Sequence, residues 1–276
     1  MPDNAGTAAE VAPEKTPATR DRATIIAISI VAFALANVLH EGAGHGGACL
    51  LSGGHAKVLS SVHFDCDRAS RFISAGGTLV NFIVGFLCWI ALRAVSPARG
   101  RLRYFLWLSM TVNLLQGAGY FLFSGLGNIG DWAEVIHDLE PAWLWRIGLV
   151  ALGVVSYALL VWLALRELRS FLGENEVRRG GAKDLTIVPY ITGGVLYTVA
   201  GMFNPVGMVL VAISAAAASF GGTSGMAWMT QYLGGKLAPK IAGRPVALER
   251  SAGWIAAAVI AIAIFVGVLG RGVRFS

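Results

Sequence analysis

The sequence predicts an all-α polytopic membrane protein with about six to seven transmembrane helices and a short β-like segment after the first. Of its 276 residues, 55% are hydrophobic and only 14% are charged, whereas soluble domains carry about 25% charged residues. Apolar runs of roughly 20 residues, the length that crosses a bilayer, recur along the chain. They are continuous rather than alternating, which favours helices over a closed barrel. We therefore expect the lipid bilayer as a partner and no binding of nucleic acid.

The first apolar run follows a polar N-terminal segment. Residues 1–22 are rich in Ala, Pro, Thr and charge, which predicts a disordered tail. The run Ala23–Leu39 predicts the first transmembrane helix, which can continue to about Leu51. The A-L-A tripeptide at 34–36 resembles a signal-peptide cleavage site, so removal of this segment is an alternative. The pattern in 56–64 predicts a short strand or hairpin.

Further apolar runs predict the remaining helices: Phe72–Val95, Tyr104–Leu126, Ala142–Leu165, Leu185–Met202, Val206–Phe220 and Trp254–Leu269. Asn204-Pro205 separates two of them because proline breaks a helix, and one long kinked helix is the alternative. An interfacial helix is expected around Met226–Leu233. These elements give three parts: a disordered tail at 1–22, a three-helix membrane core at 23–140 and C-terminal transmembrane helices at 141–276.

Basic residues are distributed unevenly between the two predicted sides of the membrane. With the N-terminus inside, residues 1–22, 93–103, 166–183 and 236–250 share one side and hold sixteen of the 22 Lys and Arg residues; the other side holds six. The positive-inside rule then predicts a cytoplasmic N-terminus. All five histidines fall on or near the opposite, outer side.

The end of the first apolar run carries the pattern H-E-x-x-x-H, formed by His40, Glu41 and His45. Ionisable groups at this depth are costly and usually have a function or a partner. In a regular α-helix, residues five apart point about 140° away from each other. A π-bulge absorbs one extra residue, and the glycines of this segment make such a distortion plausible. The alternative is that Glu41 and His45, four residues apart, simply pair on one helix face.

A second acidic group reaches the same side of the membrane. Asp131 follows the third span, as His40 follows the first, so the topology places both near one membrane depth. Two imidazoles and one carboxylate bind Zn²⁺ and leave a fourth position for water. His40, His45 and Asp131 are therefore the candidate metal ligands, and Glu41 is the candidate general base of a zinc hydrolase.

These pieces resemble a known family. The His40–His45 motif lies in the first span, a G-G pair follows at 46–47, the segment A-G-G-T-L-V-N ends at Asn81, and Asn128-Ile129-Gly130-Asp131 ends the third span. In order and spacing they resemble the site-2 protease class of intramembrane zinc metalloproteases (peptidase family M50), particularly its smaller M50B-like bacterial members. The resemblance covers roughly residues 25–140.

The resemblance implies intramembrane proteolysis of a transmembrane protein substrate in a bacterial inner (cell) membrane, with zinc as cofactor. It also implies that Asn81 and Asn128 bind substrate or orient the site; simple packing between helices is the alternative for Asn81. The chain departs from the family in the added residue of its motif and in Trp132, which follows Asp131. The family also usually places its site near the cytosolic face.

Two other functions are compatible with the sequence. A non-catalytic scaffold of the same fold would explain the lengthened motif, and a metal or small-solute transporter would explain the broken segment at Asn204-Pro205. His55 and His63 are interpreted as ordinary surface groups. Cys49 and Cys66 can pair if the outer side is oxidising. The sequence does not predict the substrate, the cleavage position or the oligomeric state.

Overall fold

The computed structural model describes residues 19–173, 182–204, 219–233 and 245–275, and they are mostly helical. The helices are α1 Arg22–Val38, α2 Gly47–Leu51, α3 Arg71–Ala94, α4 Gly100–Gly127, α5 Asp131–Ile136, α6 Ala142–Arg169, α7 Lys183–Met202, α8 Gly225–Trp228 and α9 Ala252–Ile262. A π-helical segment, Leu39–Gly46, joins α1 to α2; a second, Ala263–Leu269, continues α9; a 3-10 helix, Met229–Tyr232, continues α8. The strands are β1 Ala56–Leu59, β2 Phe64–Cys66 and β3 Val273–Arg274.

Five helical runs of the described residues are long and apolar enough to cross a membrane: Arg22–Leu51, Arg71–Ala94, Ala142–Arg169, Lys183–Met202 and Ala252–Leu269. Helix α4 has 28 residues, but Asn113 and Gln116 interrupt its apolar sequence and it is not among the five. The predicted span Val206–Phe220 lies outside the described residues except for its last two positions. The prediction of a helical fold with membrane-spanning lengths is confirmed in this coarser form.

Helix α4 is the central element of the bundle and packs between α3 and α6. Its side chains Tyr104, Trp107 and Leu114 are almost completely buried. Neighbouring helices approach closely through small residues, since a Cβ at Gly85 of α3 would lie 2.6 Å from the Leu114 side chain. Because α4 is enclosed by protein, it can carry polar residues that a helix facing lipid would not tolerate.

The connecting segments meet at two opposite ends of the bundle. At one end, Arg22 pairs with Asp184 at 3.3 Å and Arg93 pairs with Glu167 at 2.8 Å. At the other end, strands β1 and β2 form an antiparallel hairpin and β3 pairs with β1, giving the order β2-β1-β3. A disulfide between Cys49 of α2 and Cys66 of β2 joins this sheet to the first helical run. The predicted hairpin is thus present, enlarged by a C-terminal strand.

The predicted N-terminal tail differs from the structure at its end. Residues 19–22 are not disordered: Asp21 accepts a 2.8 Å hydrogen bond from the Thr24 N–H and caps α1, and Arg20 forms a β-bridge with Leu248. Residues 1–18 of the predicted tail lie outside the described residues. The segment Met226–Leu233 is helical; its Met226 and Met229 are buried, whereas Trp228 and Tyr232 are exposed. One face therefore packs on the protein, and the interfacial position stays a prediction.

Candidate metal centre

The π-helical segment Leu39–Gly46 contains the whole H-E-x-x-x-H pattern. A π-helix closes its hydrogen bonds between residues five apart, where an α-helix uses four. His40 and His45 are therefore one turn apart on the same face, and their Nε2 atoms are 3.3 Å apart. The π-helical distortion predicted from the five-residue spacing is confirmed. The extra residue in the H-E-x-x-x-H pattern therefore does not separate the two imidazoles.

Asp131 lies at the end of the polar turn that follows α4, and it approaches the two imidazoles from there. Asn128 ends α4 in the left-handed conformation with φ 54°, and Gly130 has φ 86°, which a glycine adopts without steric cost. This turn reverses the chain, so that Asp131 begins α5. Its Oδ2 atom lies 3.3 Å from Nε2 of His40 and 3.5 Å from Nε2 of His45. The structure thus brings together all three ligands predicted from sequence.

The other ring nitrogens of both histidines are already used in hydrogen bonds. Nδ1 of His40 donates to Oδ1 of Asn81, and Nδ1 of His45 donates to the carbonyl of Ile73 at 2.7 Å. In neutral imidazoles the two Nε2 atoms then carry no proton and act only as acceptors. They face a carboxylate oxygen of Asp131 that is buried without a hydrogen-bond donor. Three acceptors in contact are unfavourable unless a proton or a metal cation lies between them.

A chain of amide groups supports His40 from inside the bundle. Nδ2 of Asn81 donates to Oδ1 of Asn113 at 2.9 Å, and Nδ2 of Asn113 donates to the carbonyl of Ser109 at 2.8 Å. Such outer hydrogen bonds set the tautomer and orientation of histidine ligands. Asn81 therefore holds the His40 ring in place, and its role towards a metal ion or a substrate stays a prediction. Sequence analysis missed Asn113, whose only signal was a polar residue inside an apolar span.

Glu41 is buried, with 5% of its surface exposed, and lies in the same π-helical segment as the two histidines. Within the described residues no hydrogen bond or ion pair joins it to His45, so the alternative of a simple Glu41–His45 pair is not what the structure shows. Its carboxylate instead lines a cavity of about 700 Å³ that His45 and Asp131 also line. The walls are largely apolar, with Phe64 and Phe123 among the lining residues.

The electrostatics of the site agree with an ionised Asp131. Burial by itself raises the pKa of the Asp131 carboxyl, but the two imidazoles, when they are protonated and donate to it, outweigh burial and hold the pKa below its ordinary value. The carboxylate form is the one that binds a metal ion.

Comparison of the chain with protein-family models, with curated proteins and with solved structures finds no match.

Other candidate residues take different positions. The side chain of Asn128 makes no hydrogen bond within the described residues, and its observed role is to end α4. His55 is exposed and pairs with Asp67 at 3.0 Å, as expected of a surface group. His63, which was also interpreted as a surface group, is half-buried and lines the cavity. The fold of the hairpin brings His63 to the cavity, and the sequence alone does not show this.

Proposed function

We propose that this chain is an intramembrane zinc metalloprotease of the site-2 protease type. The observation that carries the proposal is the triangle formed by Nε2 of His40, Nε2 of His45 and Oδ2 of Asp131, with sides of 3.3, 3.3 and 3.5 Å. Ligand atoms about 2.0–2.1 Å from a tetrahedral zinc ion are about 3.3 Å from one another. The three atoms therefore have the spacing of three corners of a zinc tetrahedron.

The chemistry of the donor set supports the same metal. Two imidazole nitrogens and one carboxylate oxygen are typical zinc ligands, and three protein ligands leave one position for water or substrate, as in catalytic sites. Each imidazole also has the outer hydrogen bond that metal-binding histidines almost always make, to Asn81 in one case and to the Ile73 carbonyl in the other.

Glu41 would perform the proton transfers of peptide hydrolysis. Zinc in this site would polarise the scissile carbonyl and lower the pKa of a water molecule towards neutrality. Glu41 follows His40 directly and lines the cavity, where it can accept the proton of the attacking water and deliver it to the leaving amine nitrogen. The largely apolar cavity walls would bind apolar side chains of the substrate and exclude bulk water.

The position in the membrane is part of the proposal. Large apolar side chains such as Ile83 of α3, Leu159 of α6 and Ile260 of α9 are exposed, which suits helices that face lipid rather than water. The basic segments at 93–103 and 166–173 lie at the end of the bundle opposite the candidate metal centre, and under the positive-inside rule this supports a cytoplasmic N-terminus. The Cys49–Cys66 disulfide lies at the metal-centre end, and disulfides persist on oxidising sides of membranes.

We therefore expect a bacterial inner (cell) membrane protein whose site opens towards the outer side and whose substrate is a transmembrane protein. The motif order shared with the site-2 protease class supports this substrate class. An outward-facing site would distinguish the chain from the usual arrangement of that class.

The decisive experiment measures zinc per chain in detergent-purified protein and its hydrolysis of fluorescently labelled casein. The parent should bind about one zinc; His45→Ala and Asp131→Ala should lose it. His55→Ala is the matched control, because His55 is exposed and pairs only with Asp67, and it should keep the metal. Glu41→Gln should keep zinc and lose activity by about 10²–10⁴-fold.

The rival functions give other results. A well-folded parent that binds no zinc after supplementation would refute the metal centre and favour a scaffold. A transporter would be favoured by three results together. The parent would bind zinc, the parent would not hydrolyse casein, and Glu41→Gln would alter metal flux into proteoliposomes.

A further inference from the structure

We propose that Tyr120 is a catalytic residue of this site and that its hydroxyl donates a hydrogen bond to the carbonyl oxygen of the scissile peptide. This inference rests on the proposed function, since it concerns the same hydrolysis. No covalent bond to tyrosine is involved: the hydroxyl keeps its proton and stabilises the negative charge that develops on the substrate oxygen when water attacks the carbonyl carbon.

The position of Tyr120 is set by α4. Residues three, four and seven apart share a helix face, so Tyr120 lies on the face that also carries Gln116 and Asn113. Asn113 supports His40 through Asn81, which shows that this face of α4 points to the metal centre. The Tyr120 ring is stacked on the His40 imidazole, with ring centroids 4.8 Å apart and planes inclined by 13°.

The phenol also lines the cavity that contains Glu41 and Asp131. A substrate carbonyl bound in this cavity would therefore occupy a space that Tyr120 also lines.

The hydroxyl of Tyr120 differs from those of the other tyrosines in the bundle. Tyr104 donates to the Leu185 carbonyl at 2.9 Å, Tyr157 to the Gly222 carbonyl at 2.9 Å, and Tyr197 to the Phe33 carbonyl at 2.8 Å. Tyr120 makes no hydrogen bond to any described residue. The Tyr120 side chain is half-buried and lines the cavity, so its donor is available to a molecule bound there.

Packing alone does not account for a tyrosine here. Stacking on His40 and filling the cavity wall require only the aromatic ring, and phenylalanine would supply both. Phe82 and Phe121 already stack on each other elsewhere in the bundle, with centroids 5.9 Å apart. The feature that phenylalanine would lack is the hydroxyl, and that group is the one without a protein partner.

The test compares Tyr120→Phe with the parent by three measurements: zinc content, kcat and KM with labelled casein, and affinity for a peptidyl phosphinate. The phosphinate carries apolar side chains and a tetrahedral, charged centre that mimics the attacked carbonyl. We expect zinc content and KM to be unchanged, and kcat and phosphinate affinity to fall by about 10²–10³-fold, the effect of removing one such donor. Tyr104→Phe is the matched control, because its hydroxyl bonds Leu185 far from the site; it should leave both quantities unchanged.

The remaining outcomes separate this inference from the proposed function. If the parent binds zinc and hydrolyses casein but Tyr120→Phe matches it in kcat and phosphinate affinity, the role of Tyr120 is refuted and the metalloprotease stands. If Tyr120→Phe loses zinc, the tyrosine serves to hold His40, and the inference is again refuted. If the parent itself binds neither zinc nor phosphinate, the proposed function and the inference are both wrong.

Discussion

Three neighbours of different chemistry hold the His40 side chain in place. Asn81 accepts the hydrogen bond from its Nδ1 atom, Tyr120 covers the face of its ring, and Gly77 lies against its edge. A Cβ atom at Gly77 would lie 2.5 Å from Cε1 of His40 and 2.6 Å from Nε2 of both His40 and His45. The absence of a side chain at this one position of α3 therefore leaves the room in which the two imidazoles meet.

Gly77→Ala is predicted to abolish zinc binding while the protein remains folded. The added methyl group overlaps the Nε2 atoms of His40 and His45, so at least one imidazole must rotate away and lose its place in the triangle. Zinc content of the purified variant, together with its unfolding temperature, measures this. Gly47→Ala is the control, because a Cβ there meets nothing within 4 Å. Full zinc occupancy in Gly77→Ala would show that the two nitrogens are not both ligands.

The elements that build the site are the π-helical segment and the sheet that follows it. The hairpin of β1 and β2 contributes Val62, His63 and Phe64 to the cavity wall. Three-residue and four-residue strands are too short to be stable alone. The Cys49–Cys66 disulfide and the pairing with β3 attach this hairpin to the helices on both of its sides. The cavity wall therefore depends on these attachments as well as on the strands themselves.

Removal of this disulfide is predicted to destabilise the protein. The two cysteines are 17 residues apart in sequence, and closing a loop of this size lowers the entropy of the unfolded chain by an amount worth about 3 kcal/mol. The double variant Cys49→Ala, Cys66→Ala should therefore unfold at lower denaturant concentration, and reductant should no longer affect it. Cys88→Ala, which removes the free thiol, should remain as sensitive to reductant as the parent. A parent that is indifferent to reductant would contradict the prediction.

On the scale of the whole molecule, the contacts sort the connecting segments into two groups. Arg20 contacts Leu248 and Arg22 contacts Asp184 at one end, whereas β3 contacts β1 at the other. The order of spans predicted from the sequence places the two segments of each contacting pair on the same side of the membrane. The basic residues are concentrated at the first end and the disulfide lies at the second, so charge and cysteine chemistry favour the same orientation.

This orientation is predicted to be visible in thiol labelling of right-side-out membrane vesicles. In a Cys88→Ala background, Lys57→Cys on β1 should react with a membrane-impermeant maleimide from outside. Ala98→Cys, in the loop between α3 and α4, should react only after permeabilisation. Both positions are exposed, and the disulfide-bonded cysteines do not react. The reverse pattern would place the metal centre on the cytoplasmic side.

Sequence alone predicted the long elements well and the surroundings of the site poorly. The predicted span Phe72–Val95 corresponds to α3 at Arg71–Ala94, because a long apolar run has clear limits. The three candidate ligands and Glu41 were identifiable because ionisable groups at the end of an apolar run are unusual. Their chemical roles stay predictions.

The supporting residues Asn113, Tyr120 and Gly77 were not identified as such. Helix α4 is buried on most of its surface, so no single apolar face indicates how it is rotated about its axis. Without that rotation, a sequence does not show which residues of α4 point to the histidines. The same holds for Gly77 on α3, because its importance depends on the close approach of His40 and His45, which only the packed structure shows.

The additional residue in the π-helical segment also affects what lies beyond it. Compared with an uninterrupted α-helix, one inserted residue turns every later side chain by about 100° around the helix axis. The same insertion thus aligns the two imidazoles and decides the direction in which Cys49 points towards its partner. Deletion of the extra residue is therefore expected to redirect Cys49 away from Cys66 as well as His45 away from His40.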